Sequence, residues 1–279
     1  MSEKKSFFSA LSPKSALLVG IVAGFLSLCT IGFIVLGVLM FKSNKTTNAG
    51  LSSTSTPVTT TQTNTNQTPV VVTKATKPVV ELFIMSYCPY GLQMQKAYLP
   101  VMNLLKDKAD ITVKWVDYIM HGKDEIDEND RQYCIQKEQS SNYIAYATCF
   151  ATSGDSSACL KTAKIDETKM SACIKATDTQ YKTTENYNDQ STWLSGKYPL
   201  YGINADLNNK YGVQGSPTLV INGTVASGVS RTAESIKQAV CDSFETKPTE
   251  CDTILSSASA SAGFGSGTGA DTTGVECES

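Results

Sequence analysis

Residues 16–41 of this 279-residue chain, from Ala16 to Phe41, contain no charged side chain. A bilayer hydrocarbon core of roughly 30 Å needs about 20 apolar residues in helical form, so this run is long enough to span one. A secretory signal has a shorter apolar stretch, about 7–15 residues, and a small-residue cleavage site. Here Lys42 follows the run directly. The run therefore reads as a retained transmembrane helix over 16–41, with 1–15 as a cytoplasmic N-terminus. Lys4, Lys5 and Lys14 precede it and Lys42 and Lys45 follow, a charge bias that places the first flank inside.

Cysteine usage points the same way. Cys29 lies within the apolar run, and eight cysteines follow it: Cys88, Cys134, Cys149, Cys159, Cys173, Cys241, Cys251 and Cys277. That density is ordinary where disulfides persist and unusual where thiols are kept reduced. The folded part is expected to be extracytoplasmic, tethered to the cell membrane by a single pass. Net charge is −2 and the basic residues are scattered, so nucleic acid is not an expected partner.

Composition divides the remainder. Residues 42–76 are dominated by Ser, Thr, Asn and Gln, and such a segment buries too little apolar surface to offset the entropy of ordering. It reads as a disordered linker. Residues 253–279, rich in Ser, Gly, Ala and Thr, read as a disordered tail. Between them, 77–252 is one folded domain. The β-branched-rich run Val79 to Met85 predicts a buried strand. Pro89 suits the first turn of a helix, where its missing N–H costs nothing, and Leu92, Gln95, Lys96 and Leu99 follow at helical spacing with a bend expected at Pro100. Ile111 to Val116 predicts a second strand, and 126–177 a helical section carrying four cysteines. Pro217 to Ile221 predicts a third strand, and Asn222-Gly223 a hairpin turn into a fourth. Arg231 to Phe244 predicts a closing helix, with Ser230 as its N-cap. The fold class is mixed α/β.

The segment Met85-Ser86-Tyr87-Cys88-Pro89-Tyr90-Gly91 sets a cysteine where a strand ends and a helix begins. The helix dipole and its unpaired N–H groups there favour the thiolate, which is the attacking species. Some 130 residues later, Gly215 and Ser216 lead into Pro217 at the start of a strand.

These two motifs, in this order, resemble the DsbA-like branch of the thioredoxin superfamily over about Val79 to Phe244. The resemblance implies a thioredoxin-like fold with a disulfide-stapled helical insertion. It implies Cys88 as the catalytic nucleophile and a cis Pro217 beside it, with the main chain of Ser216 free to pair with a substrate strand. Tyr87, Pro89, Tyr90, Gly91, Ser216 and Pro217 would line the substrate groove. Tyr118 to Glu125, containing His121 and Gly122 and followed by Asn129 and Cys134, is similar to a signature of the gamma-interferon-inducible lysosomal thiol reductases. The Cys-rich helices also resemble a thioredoxin-like region of plant vacuolar sorting receptors. These reductases and DsbA use two cysteines separated by two residues, whereas here the second position is Gly91. A local disulfide is therefore ruled out, and monothiol exchange through Cys88 is what remains.

Eight cysteines allow 105 connectivities. Cys241 and Cys251, flanking the end of the last helix, suit one staple, while Cys134, Cys149, Cys159 and Cys173 suit two bridges, nested or sequential. Their spacing lacks any Cys-x-x-Cys pair, so a metal site is not expected. That leaves Cys277 either as a remote resolving thiol for Cys88 or as an intermolecular one. His121 reads as a residue that ends or caps an element after the second strand.

The expectation is a membrane-anchored thiol–disulfide oxidoreductase of monothiol reductase or isomerase type, needing no cofactor. Its partners would be extracytoplasmic proteins bearing disulfides or thiols, and a reducing protein or small thiol. The other reading is a non-catalytic binding module displayed on the same tether.

Overall fold

Val79–Ile84 forms strand β1, and a computed structural model describes the chain around it over residues 72–269, together with the backbone of 277–278. The apolar run 16–41 and residues 42–71 of the linker lie outside the described residues; among those described, no helix is long and apolar enough to cross a membrane.

Every β1 residue after Val79 is buried, because both faces of the strand are covered. Val80, Leu82 and Ile84 belong to the main core, with Leu92, Tyr98 and Trp115. Phe83 and Met85 point the other way, into a smaller cluster that contains Cys88, Val116, Tyr118 and Val220. Helix α1 (Pro89–Leu105) returns the chain to β2 (Asp110–Trp115), which pairs in parallel with β1 from Val79↔Asp110 to Ile84↔Trp115. Parallel neighbours require such a crossover. α1 runs through Pro100 as one continuous helix to Leu105, as the spacing predicted. A proline removes one intrahelical hydrogen bond, and burial of Tyr98, Leu99, Val101 and Leu105 around it holds the helix together.

The helical insertion is longer than 126–177. It comprises α2 (Lys123–Glu138), α3 (Ser140–Ser153), α4 (Ser156–Thr162), α5 (Glu167–Tyr181) and α6 (Thr183–Asn188). Polar first turns masked its start, and Asp155 and Asp166 cap α4 and α5 by accepting backbone N–H groups at 3.0 Å. Cys134–Cys173 joins α2 to α5, and Cys149–Cys159 joins α3 to α4 inside it, so the two bridges are nested.

After α7 (Ala205–Tyr211) come β3 (Gly215–Ser216), β4 (Thr218–Ile221) and β5 (Thr224–Val225). β4 runs antiparallel to β1, from Val80↔Ile221 to Phe83↔Thr218, and the sheet order is β2-β1-β4-β5. Asn222 and Gly223 both adopt positive φ, 49° and 78°, as a tight hairpin turn demands. α8 (Ala233–Asp242) closes the domain, capped by Thr232 rather than Ser230; the Thr232 hydroxyl accepts Ser235 N–H at 3.1 Å while the Ser230 carbonyl accepts Thr232 N–H. Cys241–Cys251 staples the chain leaving α8. A strand–helix–strand unit, a helical insertion, then a hairpin and helix on a 2-1-4-5 sheet is the thioredoxin-like arrangement.

Both domain boundaries differ from the compositional ones. Ala75 bridges Phe244, its N–H bonded to the Ser243 carbonyl at 2.9 Å, so the domain begins before residue 77. The expected tail is not disordered over 253–269. Leu255 N–H donates to Glu234 at 2.7 Å, and Ala260 bridges Thr268 to make a small hairpin. That hairpin lies on α1, where Gln93 donates to Ala260 O at 2.8 Å and Lys96 Nζ donates to the carbonyls of Ser261, Gly263 and Gly265 at 2.7, 2.8 and 2.9 Å. Composition conceals this docking because main-chain carbonyls make it.

Candidate active site

Cys88 occupies the N-cap of α1 with extended backbone geometry, and Pro89 opens the helix. Its Sγ accepts the Gly91 N–H at 3.4 Å and lies 3.3 Å from the Ser216 carbonyl oxygen. The two contacts act in opposite senses on a free thiol. An N–H at the positive end of a helix favours the thiolate, whereas a carbonyl acceptor favours the protonated thiol, which can donate to it. Cys88 is disulfide-bonded and fully buried. The other six cysteines of 72–269 pair among themselves, so its partner is none of them. The structure holds the sulfur in an oxidised, covered state.

Ser216 is the hinge between the two halves of the site. Its hydroxyl accepts Met85 N–H at 2.9 Å, pinning the loop before Pro217 to the end of β1, and the Ser216–Pro217 peptide bond is cis. Its backbone pairs with the strand β6 (Cys277–Glu278) in antiparallel register, Ser216↔Cys277 and Gly215↔Glu278.

Gly91 is there for want of space. A Cβ at this position would meet Ser216 Oγ at 2.5 Å, the Met85 carbonyl at 3.0 Å and Cys88 Cβ at 3.3 Å. The volume that a second cysteine would need is occupied by the Ser216 hydroxyl.

The remaining groove residues are covered from the tail side. Pro89 O accepts Gly263 N–H at 2.8 Å. Tyr87 makes edge contacts with Phe150 and Phe264, each at 5.7 Å between ring centres, and Phe264 also meets Phe150 at 5.3 Å. Tyr90 lies under the Arg231 guanidinium at 5.2 Å, a cation–π contact. Thus Cys88, Tyr87, Pro89, Gly91 and Ser216 are brought together, with residues 260–264 laid over Tyr87 and Pro89.

Behind this turn, His121, Glu125 and Asn129 form a bracket. His121 Nδ1 pairs with Glu125, whose second carboxylate oxygen accepts Met120 N–H at 3.1 Å, and Asn129 Oδ1 accepts Ser86 N–H at 3.1 Å. The bracket holds Ser86, two residues before the sulfur, and the histidine engages Glu125. Deeper still, Glu128 is buried under Tyr146, which donates to it at 3.0 Å, and beside Arg131 and Gln132. Desolvation lifts its pKa from 4.5 to about 7, with Arg131 opposing.

No protein-family model matches the sequence, and neither does any curated protein. The chain is similar to thiol–disulfide oxidoreductases of known structure. Oxidised DsbA of Mycobacterium tuberculosis matches at 13% identity over 65% of this chain and 95% of its own, with a TM-score of 0.45. BdbD of Bacillus subtilis matches at 20% identity over 62% of this chain and 90% of its own, TM-score 0.38. MdbA of Actinomyces oris, a thiol-disulfide oxidoreductase, matches at 14% identity over 62% and 83%, TM-score 0.40.

Sequence reasoning missed Gln93, Lys96 and Phe264. One signal was available: Phe264 is a lone aromatic in a Ser/Gly stretch.

Proposed function

We propose that this domain is a thiol–disulfide oxidoreductase acting through Cys88 and displayed outside the cytoplasm on an anchor formed by residues 16–41. The observation that carries the reading is the placement of Cys88 Sγ at a helix N-terminus, 3.4 Å from the Gly91 amide and 3.3 Å from the Ser216 carbonyl. A sulfur so placed is activated when it leaves as thiolate and sits beside main-chain groups able to bind an extended client. The motif itself holds a single thiol, so exchange runs through a mixed disulfide between Cys88 and a client cysteine, which a second thiol must resolve. Clients are extracytoplasmic proteins with thiols or disulfides, and a small thiol or a dithiol protein sets the redox state.

The test is exchange by the purified full chain in detergent, using a fluorescent peptide that reports interconversion of dithiol and disulfide. Turnover abolished by Cys88→Ala supports the reading; turnover unchanged by it rejects the reading. Proteolysis of intact cells should degrade the domain, and protection of the domain would reject the proposed orientation.

A further inference from the structure

We propose that Cys277 is the second redox cysteine, disulfide-bonded to Cys88 in the resting protein, and that the segment carrying it occupies the site of a client strand. The proposal deepens the reading of Cys88 as the reactive sulfur and rests on it.

Three observations converge. Cys88 is disulfide-bonded, and the six other cysteines of 72–269 are committed to each other. The backbone of residue 277 stands opposite Ser216 in an antiparallel pair, and the Ser216 carbonyl lies 3.3 Å from Cys88 Sγ. Directly opposed residues in such a pair have Cα atoms about 4.5–5.5 Å apart, so the register brings residue 277 to the rim of the Cys88 site. The chain leading there is also anchored, since three carbonyls converge on Lys96 Nζ, Gly263 N–H bonds Pro89 O, and Phe264 packs on Tyr87. Nine residues after Cys251, already fixed by its own disulfide, the chain enters this strap at Ala260.

β6 pairs with the main chain of Ser216 in the way that an extended client peptide would add a strand to an exposed edge. Residue 277 then holds the position of the client's cysteine. The strap is a built-in substrate: it covers Cys88 and supplies the thiol that Gly91 cannot.

The exchange balances without an outside reagent. A client thiolate attacks Cys88 Sγ, the Cys88–Cys277 bond breaks, and Cys277 leaves as a thiolate that takes the proton lost by the client. The client's second thiolate attacks its own sulfur in the mixed disulfide, and Cys88 leaves. Two electrons have passed from the client dithiol to the cysteine pair, the client is a disulfide, and the strap is free to lift. The same steps reversed reduce a client disulfide and close the strap, with a dithiol reductant reopening it.

Peptide mapping of the alkylated, non-reduced full chain tests the resting state: a Cys88–Cys277 link is expected, and a link from Cys88 to Cys29 or to a second chain overturns the proposal. The Cys277→Ser variant tests the mechanism. Cys88 should become alkylatable at least tenfold faster than in the air-oxidised parent, and its mixed disulfide with glutathione should persist at least tenfold longer. If the variant matches the parent in both, Cys277 has no role while the Cys88 reading stands. If Cys88 is inert toward both alkylation and glutathione disulfide even in the variant, the underlying reading of Cys88 fails.

Discussion

Ser216 Oγ lies 2.5 Å from the point where a Cβ on Gly91 would sit. Two residues 125 positions apart thus compete for one volume, and the hydroxyl holds it because it also accepts Met85 N–H at 2.9 Å. The lack of a side chain at residue 91 is thus a packing property of the whole site.

A side chain at 91 should therefore destabilise the protein even though alanine is the better helix former. The intrinsic helix preference favours Gly91→Ala by about 1 kcal/mol, whereas overpacking a buried site costs about 1–3 kcal/mol. The Met85 carbonyl at 3.0 Å is backbone and yields little. We expect a net loss near 1 kcal/mol in urea unfolding. Ser216→Ala, costly alone because it strips the Met85 N–H of its partner, should shrink the penalty of Gly91→Ala. A double-mutant cycle with no coupling would refute the steric account.

Lys96 should control how firmly the strap is seated. Lys96→Met keeps the stem and removes the ammonium from three carbonyls. Hydrogen bonds to a charged group are worth about 1.5–3 kcal/mol, so the amides of Ser261, Gly263 and Gly269 should exchange hydrogen about 10–100-fold faster. Exchange in β1 should hardly change. Uniform acceleration across the domain would mean that Lys96 supports the core instead.

Glu128 makes stability fall with rising pH. Its folded pKa stands at about 7 against an ordinary 4.5, so between those values the native state binds more protons than the unfolded chain, and the slope of stability against pH is negative there. Asp130, raised from 3.8 to about 6 by burial, adds to the same trend at somewhat lower pH. Glu128→Gln should flatten the thermal-melting profile between about pH 5 and 7, recovering about 1–3 kcal/mol at neutrality. An unchanged slope would contradict the assignment.

The two insertion disulfides should differ in value. Cys134–Cys173 spans 39 residues and Cys149–Cys159 spans 10. On loop-closure grounds, removing the longer bridge by paired alanines should cost about 1 kcal/mol more than removing the shorter. Urea titration of the two double variants checks the order.

Legibility in the sequence followed the kind of force involved. β1 was readable because a β-branched apolar run must be buried, and the Asn222-Gly223 turn because few residues accept positive φ at two successive positions. The start of α1 was readable from Cys88-Pro89. The bracket of His121, Glu125 and Asn129 could be seen as a pattern, but its purpose, holding Ser86, emerged only in three dimensions. The strap escaped because Ser, Gly and Thr carry no apolar period, and the atoms that dock it are carbonyls, which every residue has.

The amino-acid order alone determined that Cys88 begins a helix, that Pro217 begins a strand, and that no second thiol lies within that first turn. These are local matters of backbone geometry and hydrophobic periodicity. Tertiary structure decided which cysteines pair, why residue 91 must lack a side chain, and that the Ser/Gly segment lies across the site. Each depends on groups distant in the chain meeting at contact range, and such contacts leave no periodic trace in the sequence.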